Sequence, residues 1–579
     1  MNLLMKCIKT RPLLIALTLA SVALGSDPAR ADSKKLICSL TFHEIKPTSE
    51  KTAHDYRGLR NIRLEVKPSD SPTDVERAEN YLHLLKFPEH LPPIRESASV
   101  TRLTPFIDLP VKYVAKLDAN RPGFFLITAE GDLPRFGAYR YVDLPNGTRF
   151  SHTENGVTEH FISPRAIREG FTVSVDLKTG QPATEKYLSD QLQFRVTYDS
   201  AGNILTREAV QPLLVSTSND ILVTNKTDFV FEDGRVFEIA PGKKIMIGTV
   251  IADHANTPGI LNYRNGFTEL KWNPRAKAYE VTRDAEGKVV WHYISPIGSD
   301  FKNGMPVSTG RGEEIVVLYR PNSPKAIGQS IAKGYSILRL SFPNLETFFK
   351  YDAKHLYEDL EHPEKLAKLR RPHPREAGPL LTSAQIADPY TVYPDVFKTG
   401  FGPGAKPVRI SMDLEGNVYQ QETLGAPRYK IDHVSPEDQK NHILKPGETN
   451  WFFFGHGLRY SNQKVAVKSA GQFENGLQHR DYDGLAFITD ESMKVVKRIR
   501  NGFMGPTDLL DQGSHSSIVD LRTHSAYTTG TEVMADGKLY ISYGSSDHGT
   551  GLARVDMAKA LREMGPESAD SREGLAHAP

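Results

Sequence analysis

Cysteine is almost missing from this 579-residue chain: there are two, Cys7 and Cys38. The first falls in an N-terminal leader, so the mature protein keeps one thiol and cannot form an internal disulfide; stability must come from a large core. "LIC", preceded by Lys34 and Lys35, also lacks the small residue expected just before a lipid-modified cysteine. Charge of one sign is missing too. The net charge is +2 with 25% charged residues, which leaves no basic stripe for nucleic acid and no acidic tail. Beyond the leader no apolar run is long enough for a membrane helix, so membrane insertion is not expected. There are 19 histidines, yet no H-E-x-x-H and no cysteine pair, so no metal site is expected. His515 in "GSHSS" and His548 in "SDHG" read as single residues in polar turns. There is no G-x-S-x-G elbow, no Walker loop and no dinucleotide fingerprint. What stays open is hydrolytic or phosphorolytic chemistry run by carboxylates and cations, without an organic cofactor.

The chain begins with Lys6, Lys9 and Arg11, then "PLLIALTLASVALG", then "ARA" at 29–31. This pattern reads as a secretory signal peptide over residues 1–31, cut before Asp32. The expected location is therefore the periplasm or the exterior. Residues 32–105 read as a small mixed α/β region, whose helix is "SPTDVERAENYLHLLKF" (71–87), with Val75, Ala78, Leu82 and Leu85 on one face. From 106 to 565, short β-branched and aromatic runs such as "KKIMIGTVI", "EEIVVLYR" and "KLYISYG" alternate with Gly, Pro, Asn and Asp clusters. That pattern predicts an all-β sandwich, barrel or propeller. Residues 344–379 read as a helical insertion between strands and 566–579 as a polar tail. No repeat is crisp enough to count blades. "NGT" at 146 and "NKT" at 225 are glycosylation-type sequons of the kind that arise by chance.

Five stretches place a polar or charged residue beside glycine next to a strand. They are "FEDGRVFEI" (231–239), "FKNGMPV…EEIVVLYRP" (301–321), "FKTGFGPGAKPVRI" (397–410), "NWFFFGHGL" (450–458) and "DGKLYISYGSSDHGTGLARVDMAKAL" (536–561). The set holds an acid at its start, Asp233, then four cationic or ionisable donors, Lys302, Arg320, Lys398 and His456, and a closing acid, Asp547. Converging, the four donors make an anion site; dispersed, they are ordinary solvated charges.

In order, these stretches resemble glycoside hydrolase family 130, β-mannoside phosphorylases and mannosidases built on a five-bladed β-propeller. "FEDGR" resembles the family's E-D-P-R, "FKNGMPV…LYRP" its cation-Asn segment and H-R-P strand, "KTGFGPGAKPVRI" its K-x-G-x-G loop, and "FFFGHGL" its Y-H-G strand. "YDGLAFITDESMKVVKRI" (482–499) is similar to the blade that follows, and "LYISYGSSDHGTGLA" resembles the closing strand. The likeness spans roughly residues 225–561. It implies an all-β, five-bladed propeller that cleaves β-linked mannosides or related glycans with inversion, with Asp233 as general acid. It also implies Lys302, Arg320, Lys398 and His456 as phosphate ligands, and Asp547, Arg235 and Arg135 as sugar contacts. Inorganic phosphate is the implied co-substrate if the reaction is phosphorolysis, and an oligosaccharide or polysaccharide is the partner. The cations favour phosphorolysis and the signal peptide favours hydrolysis. Gly234 stands where the family has proline, Lys302 where arginine is also used, and Gly455 where an aromatic precedes the histidine. The rival reading is a propeller that binds glycan or cell-wall polymer without turnover. Trp451 and Tyr543 are candidate sugar platforms on either reading, although core or strand packing is the more ordinary role for both.

Overall fold

The structure is a computed structural model. It describes residues 36–41, 61–66, 96–106, 112–117, 124–130, 135–136, 139–144, 146–168, 172–176, 182–186, 189–215, 230–254, 257–294, 301–309, 314–321, 335–351, 376–382, 396–469, 472–493, 496–505, 523–545 and 549–565. The fold is all-β: among the described residues strands far outnumber two short α-helices, Leu345–Phe349 and Met557–Glu563. The strands form six sheets, none closing on itself among the described residues.

Why the apolar runs are continuous rather than alternating is clear from the packing. Successive side chains on a strand face opposite sides of its sheet. In Lys243–His254, Ile245 and Ile247 enter one apolar cluster, with Phe237, Met305 and Val317, while Met246 enters another, with Phe161, Phe231 and Tyr279. The "FFF" of Thr449–Ser469 divides the same way. Phe453 joins the first cluster, and Phe452 and Phe454 join a third with Ile410, Ile541 and Val555. The sheets that hold these two strands are thus covered on both faces, with apolar clusters on either side. Each such buried side chain contributes about 1.5–3 kcal/mol.

Five strands drawn from distant parts of the chain meet edgewise: Thr148–Glu154, Val230–Ala240, Phe301–Ser308, Val396–Pro403 and Thr523–Val533. Polar cross-links tie them at one level. Arg235 donates to the carbonyls of Gly304, Pro403 and Gly404. Thr529 donates to Gly147 O at 2.7 Å and Thr531 to Lys406 O at 2.6 Å. A glycine stands at this level in each segment: Gly147, Gly234, Gly304, Gly404 and Gly530. A Cβ at any of them would come within 3.0 Å of a neighbouring atom. At Gly404 and Gly530 the nearest atoms belong to others of these strands, Thr528 and Arg149, and there the missing side chain permits the strands' close approach.

The expected domain limits shift. Val100–Arg102 pairs with Gly549–Val555, so a strand from before residue 106 completes the last sheet. Leu36–Thr41 and Asn61–Val66 share a sheet with Lys112–Leu117 and Phe124–Glu130. The segment from 344 is not wholly an insertion. Asn344 caps the Leu345–Phe349 helix through Thr347 N, and Phe348 stacks on Phe267 at 4.5 Å. Glu376–Thr382 pairs with Tyr335–Phe342. The expected signal peptide, the expected helix at 71–87, residues 352–375 and the expected tail at 566–579 lie outside the described residues. No helix among the described residues is long and apolar enough to cross a membrane.

Candidate active site

Asp233 breaks its strand. The pairing with Lys243–His254 skips between Glu232 and Arg235, and Asp233 takes a left-handed φ of 55°. Lys302 and Met305 flank the same kind of bulge, with Asn303 at φ 62°. Asn146, just before a third strand, has φ 56°. Each is an Asx-Gly pair: Asn146-Gly147, Asp233-Gly234, Asn303-Gly304. Asn and Asp tolerate this region better than other side-bearing residues, and a bulge re-aims the side chain it carries.

These residues come together. Asn146 Nδ2 donates to Asp233 Oδ1 at 2.7 Å. Arg165 Nη1, on a buried side chain, stands 3.8 Å from the same oxygen and 3.7 Å from Glu232 Oε1. Lys302 Nζ reaches Glu232 Oε2 at 3.5 Å. On the neighbouring residue, Asn303 Nδ2 lies 3.3 Å from His456 Nε2, and Arg320 Nη1 lies 3.5 Å from that nitrogen. Lys302 and Arg320 are register partners. Tyr527 sets its ring edgewise on His456 at 4.3 Å, and Tyr482 packs 6.0 Å from the imidazole. Two glycines make room. A Cβ on Gly402 would lie 2.3 Å from His456 Cε1, and one on Gly544 would lie 1.8 Å from Asn146 Oδ1.

The electrostatics follow from burial. His456 is fully buried; desolvation first, then Arg320 and Arg235, hold its pKa well below 6.5. The imidazole is therefore neutral, an acceptor that ties Asn303 and Arg320 together rather than a further cation. Burial pushes the Tyr527 phenol up to about 12, with Arg235 and Arg320 opposing and Asp233 adding to the rise.

Of the residues singled out from sequence, Asp233, Lys302, Arg320 and His456 fall in this one cluster. Arg235 lies directly beneath it, but is 1% exposed with its donors on three carbonyls; its role here is to brace the strands. Arg135 is exposed on the two-residue strand Arg135–Phe136. Lys398 sits on Val396–Pro403 opposite Arg459 in register. Asp547, His515, His548 and Asn225 lie outside the described residues. Trp451 and Tyr543 are both buried in apolar clusters, and Trp451 Nε1 donates to Glu491 O at 3.1 Å. Asn146 is no glycan acceptor in this fold: it is 5% exposed and spent on Asp233. No group of three or more metal-ligating side chains occurs among the described residues.

Sequence reading passed over Asn146, Arg165, Asn303 and Tyr527. Two of them carried a signal. "NGTRF", "DGRVF" and "NGMPV" are the same Asx-Gly motif leading three converging strands, and aligning them on Asp233-Gly234 selects Asn146 and Asn303. Arg165 and Tyr527 have no comparable mark.

No family model matches the chain. No curated protein matches it either. Solved structures similar to it include a mannose phosphorylase from Leishmania mexicana in complex with phosphate ion, at 12% identity and a TM-score of 0.36, covering 76% of this chain and 92% of that one. A GDP-Man-dependent mannosyltransferase from Leishmania mexicana gives 11%, a TM-score of 0.33, and coverage of 72% and 85%. The α-L-arabinanase from Penicillium chrysogenum complexed with arabinobiose gives 11%, a TM-score of 0.29, and coverage of 81% and 99%. At these identities and TM-scores the likenesses assign no family.

Proposed function

We propose that this chain is an exported, carbohydrate-active enzyme on a five-bladed β-propeller. It cleaves β-linked mannosides or related glycans with inversion, by hydrolysis or phosphorolysis, with Asp233 as general acid. The observation that carries this reading is the meeting of three left-handed Asx residues in one cluster with Lys302, Arg165 and Arg320. Among the described residues six non-glycine positions have positive φ. Asn155, Lys277 and Met493 lie in turns between strands, while Asn146, Asp233 and Asn303 converge. Left-handed backbone costs about 1 kcal/mol or more per residue and gathers where function requires it. The five-bladed reading draws support from the five glycine-marked strands and from the early strand that completes the last sheet.

The chemistry fits the contacts. Asn146 and Arg165 both address Asp233 Oδ1, which leaves Oδ2 as the oxygen to carry a proton to a leaving group. Cations beyond it would offset charge on an attacking phosphate, or hold the substrate if water attacks.

The test incubates the protein with a β-manno-oligosaccharide panel, with and without phosphate, beside Asp233→Asn. Phosphate-dependent sugar 1-phosphate marks a phosphorylase. Phosphate-independent sugar release that disappears in Asp233→Asn marks a hydrolase. Glycan binding without turnover, tolerant of Asp233→Asn, replaces the enzyme with a binding propeller.

A further inference from the structure

Trp451 and Tyr543 are buried, and among the described residues one aromatic ring is exposed: Tyr139, at 40%. It is held in an unusual way for a surface residue. Arg168 sets its guanidinium over the ring, 4.0 Å from the centroid. That guanidinium is locked in turn. Its Nε and Nη2 donate to the two oxygens of Asp190, both at 2.6 Å, and the Tyr141 hydroxyl donates to Asp190 Oδ2 at 2.7 Å. Arg168, Asp190 and Tyr141 are all buried. A guanidinium bidentate on a buried carboxylate has one position, because its fork is rigid. One face of the Tyr139 ring thus rests on a fixed cation, and its exposure falls on the other face and at the hydroxyl. A ring fixed from below loses little freedom when a ligand stacks on it.

The ring also stands on the sheet that reaches the acid. Val157–Ser163 pairs with Thr148–Glu154, and the chain then runs through Pro164 into Arg165–Arg168. That strand lies between Ser189–Gln191 and Tyr139–Asp143. Ser189–Gln191 seats on the strand of Asp233: Ser189 Oγ donates to Phe231 O, and a Cβ on Gly234 would lie 2.3 Å from Gln191 Oε1. Arg165 addresses Asp233 from one end of its strand, and Arg168 holds Tyr139 from the other. Three residues of strand separate the two by about 10 Å. Tyr139 pairs in register with Phe136, next to the exposed Arg135.

We propose that Tyr139 is the platform of a distal glycan subsite, stacking on a sugar unit remote from the bond that Asp233 addresses. A pyranose has a flat face of C–H bonds and a rim of hydroxyls, which suits an open ring face with a hydroxyl at its edge and needs no enclosed cavity. The proposal rests on the glycan reading above and deepens it: the substrate is an oligosaccharide or polysaccharide long enough to reach from Asp233 to Tyr139, rather than a disaccharide.

The experiment measures kcat and KM over β-manno-oligosaccharides of increasing length, from the disaccharide upward, for the full chain, Tyr139→Phe and Tyr139→Ala. In wild type kcat/KM should climb with length. Tyr139→Phe keeps the ring and should follow wild type throughout. Tyr139→Ala should raise KM for the longer members about 5-fold, the size of one lost stacking contact, and leave kcat and the disaccharide KM unchanged. A KM that rises equally at every length, with a fall of several degrees in unliganded melting temperature, would make the ring a cover for the Arg168–Asp190 pair and overturn the proposal. So would a wild type that gains nothing from length, or a Tyr139→Ala that matches wild type at every length while glycan is still turned over. In those cases the enzyme reading stands and this proposal fails alone. If wild type neither binds nor cleaves any glycan, both fail together.

Discussion

Two polar clusters occupy the converging strands, and they differ in a way that separates function from scaffolding. Around Glu532 both carboxylate oxygens are met by cationic side chains, although Arg149 Nη1 and the Tyr198 hydroxyl have no hydrogen-bond partner. His160 Nδ1 meets Oε1 at 2.6 Å, Arg149 Nε meets Oε2 at 3.4 Å, and the rings of Tyr198 and Tyr540 cover the guanidinium. The backbone there has no positive φ outside glycine. Around Asp233 the backbone is left-handed at three positions, and His456 Nδ1, Asn303 Oδ1 and the Tyr527 hydroxyl are among the buried atoms without a hydrogen-bond partner. Both sets lie on the same strands: Arg149 is three residues beyond Asn146, and Glu532 is five beyond Tyr527. A carboxylate enclosed by its cations on regular strands stiffens a fold, whereas left-handed backbone gathered around a partly exposed carboxylate points to function.

The sharpest break in that comparison is catalytic. Asp233→Asn should lower kcat by about 10³-fold and leave the urea midpoint nearly unchanged, since the amide can still occupy the bulge. A large loss of stability would place Asp233 with the scaffold instead. Glu532→Gln should do the reverse. Glu532 is 2% exposed, and neutralising it strands Arg149 in the interior. Equilibrium denaturation should register about 3 kcal/mol of destabilisation. In the fraction that stays folded, KM should match wild type.

The next contrast is in pH, where one histidine from each cluster acts with opposite sign. His160 is raised above 6.5: burial opposes the shift, but the Glu532 carboxylate outweighs it. The folded state therefore holds a proton that the unfolded chain releases. Its stabilisation is complete below pH 6.5 and fades as pH climbs through the folded pKa. Glu532 is correspondingly lowered, burial being outweighed by His160 and Arg149, so its share is present above 4.5 and fades as pH falls through its folded value. His456 is lowered, so below pH 6.5 the unfolded chain takes a proton that the folded one refuses, and stability drops as pH falls. Each linked proton gives a slope of up to about 1.4 kcal/mol per pH unit. His160→Gln should flatten the decline above pH 6.5, and His456→Gln the decline below it. Urea midpoints between pH 5 and 8 (about the range over which histidine titrates) read both.

How much of this was legible depends on the length scale of the signal. The all-β character was plain, because β-branched and aromatic runs between turn residues are local. The doubly covered sheets follow from "FFF" and "KKIMI" once both faces are known to be buried. The sheet limits were not legible. Val100–Arg102 pairs with a strand some 450 residues away in sequence, and no local pattern encodes such a partner. Asp233, Lys302 and His456 were marked by nearby glycines and Arg320 by its place in the motif order; the structure adds two glycines from elsewhere in the chain that make room, Gly402 for the imidazole and Gly544 for Asn146. Arg165 and Tyr527 were hidden because each resembles any other strand residue until the strands are brought together. Arg235 misled for the opposite reason. Nearness to Asp233 suggests a substrate contact, and period-2 alternation would put residues 233 and 235 on one face; the bulge at Asp233-Gly234 breaks that alternation, and the Arg235 guanidinium reaches carbonyls of the facing strands.

The smallest expected effect tests whether left-handed asparagines mean different things in different places. Asn155 has φ 52° in the exposed turn between Thr148–Glu154 and Val157–Ser163, followed by Gly156. Asn303 has nearly the same backbone, but buried in the cluster with its amide on His456. Alanine tolerates positive φ poorly, so Asn155→Ala should cost about 1 kcal/mol of stability and nothing in activity. Asn303→Ala carries the same backbone cost and additionally frees His456 Nε2 and Arg320, so kcat/KM should fall while the stability change stays similar. Measured side by side, equal stability losses with unequal activity losses assign the strain at Asn303 to function. Equal losses of both kinds would reduce the Asx-Gly bulges to turns that happen to lie close together, and remove the observation on which the catalytic reading stands.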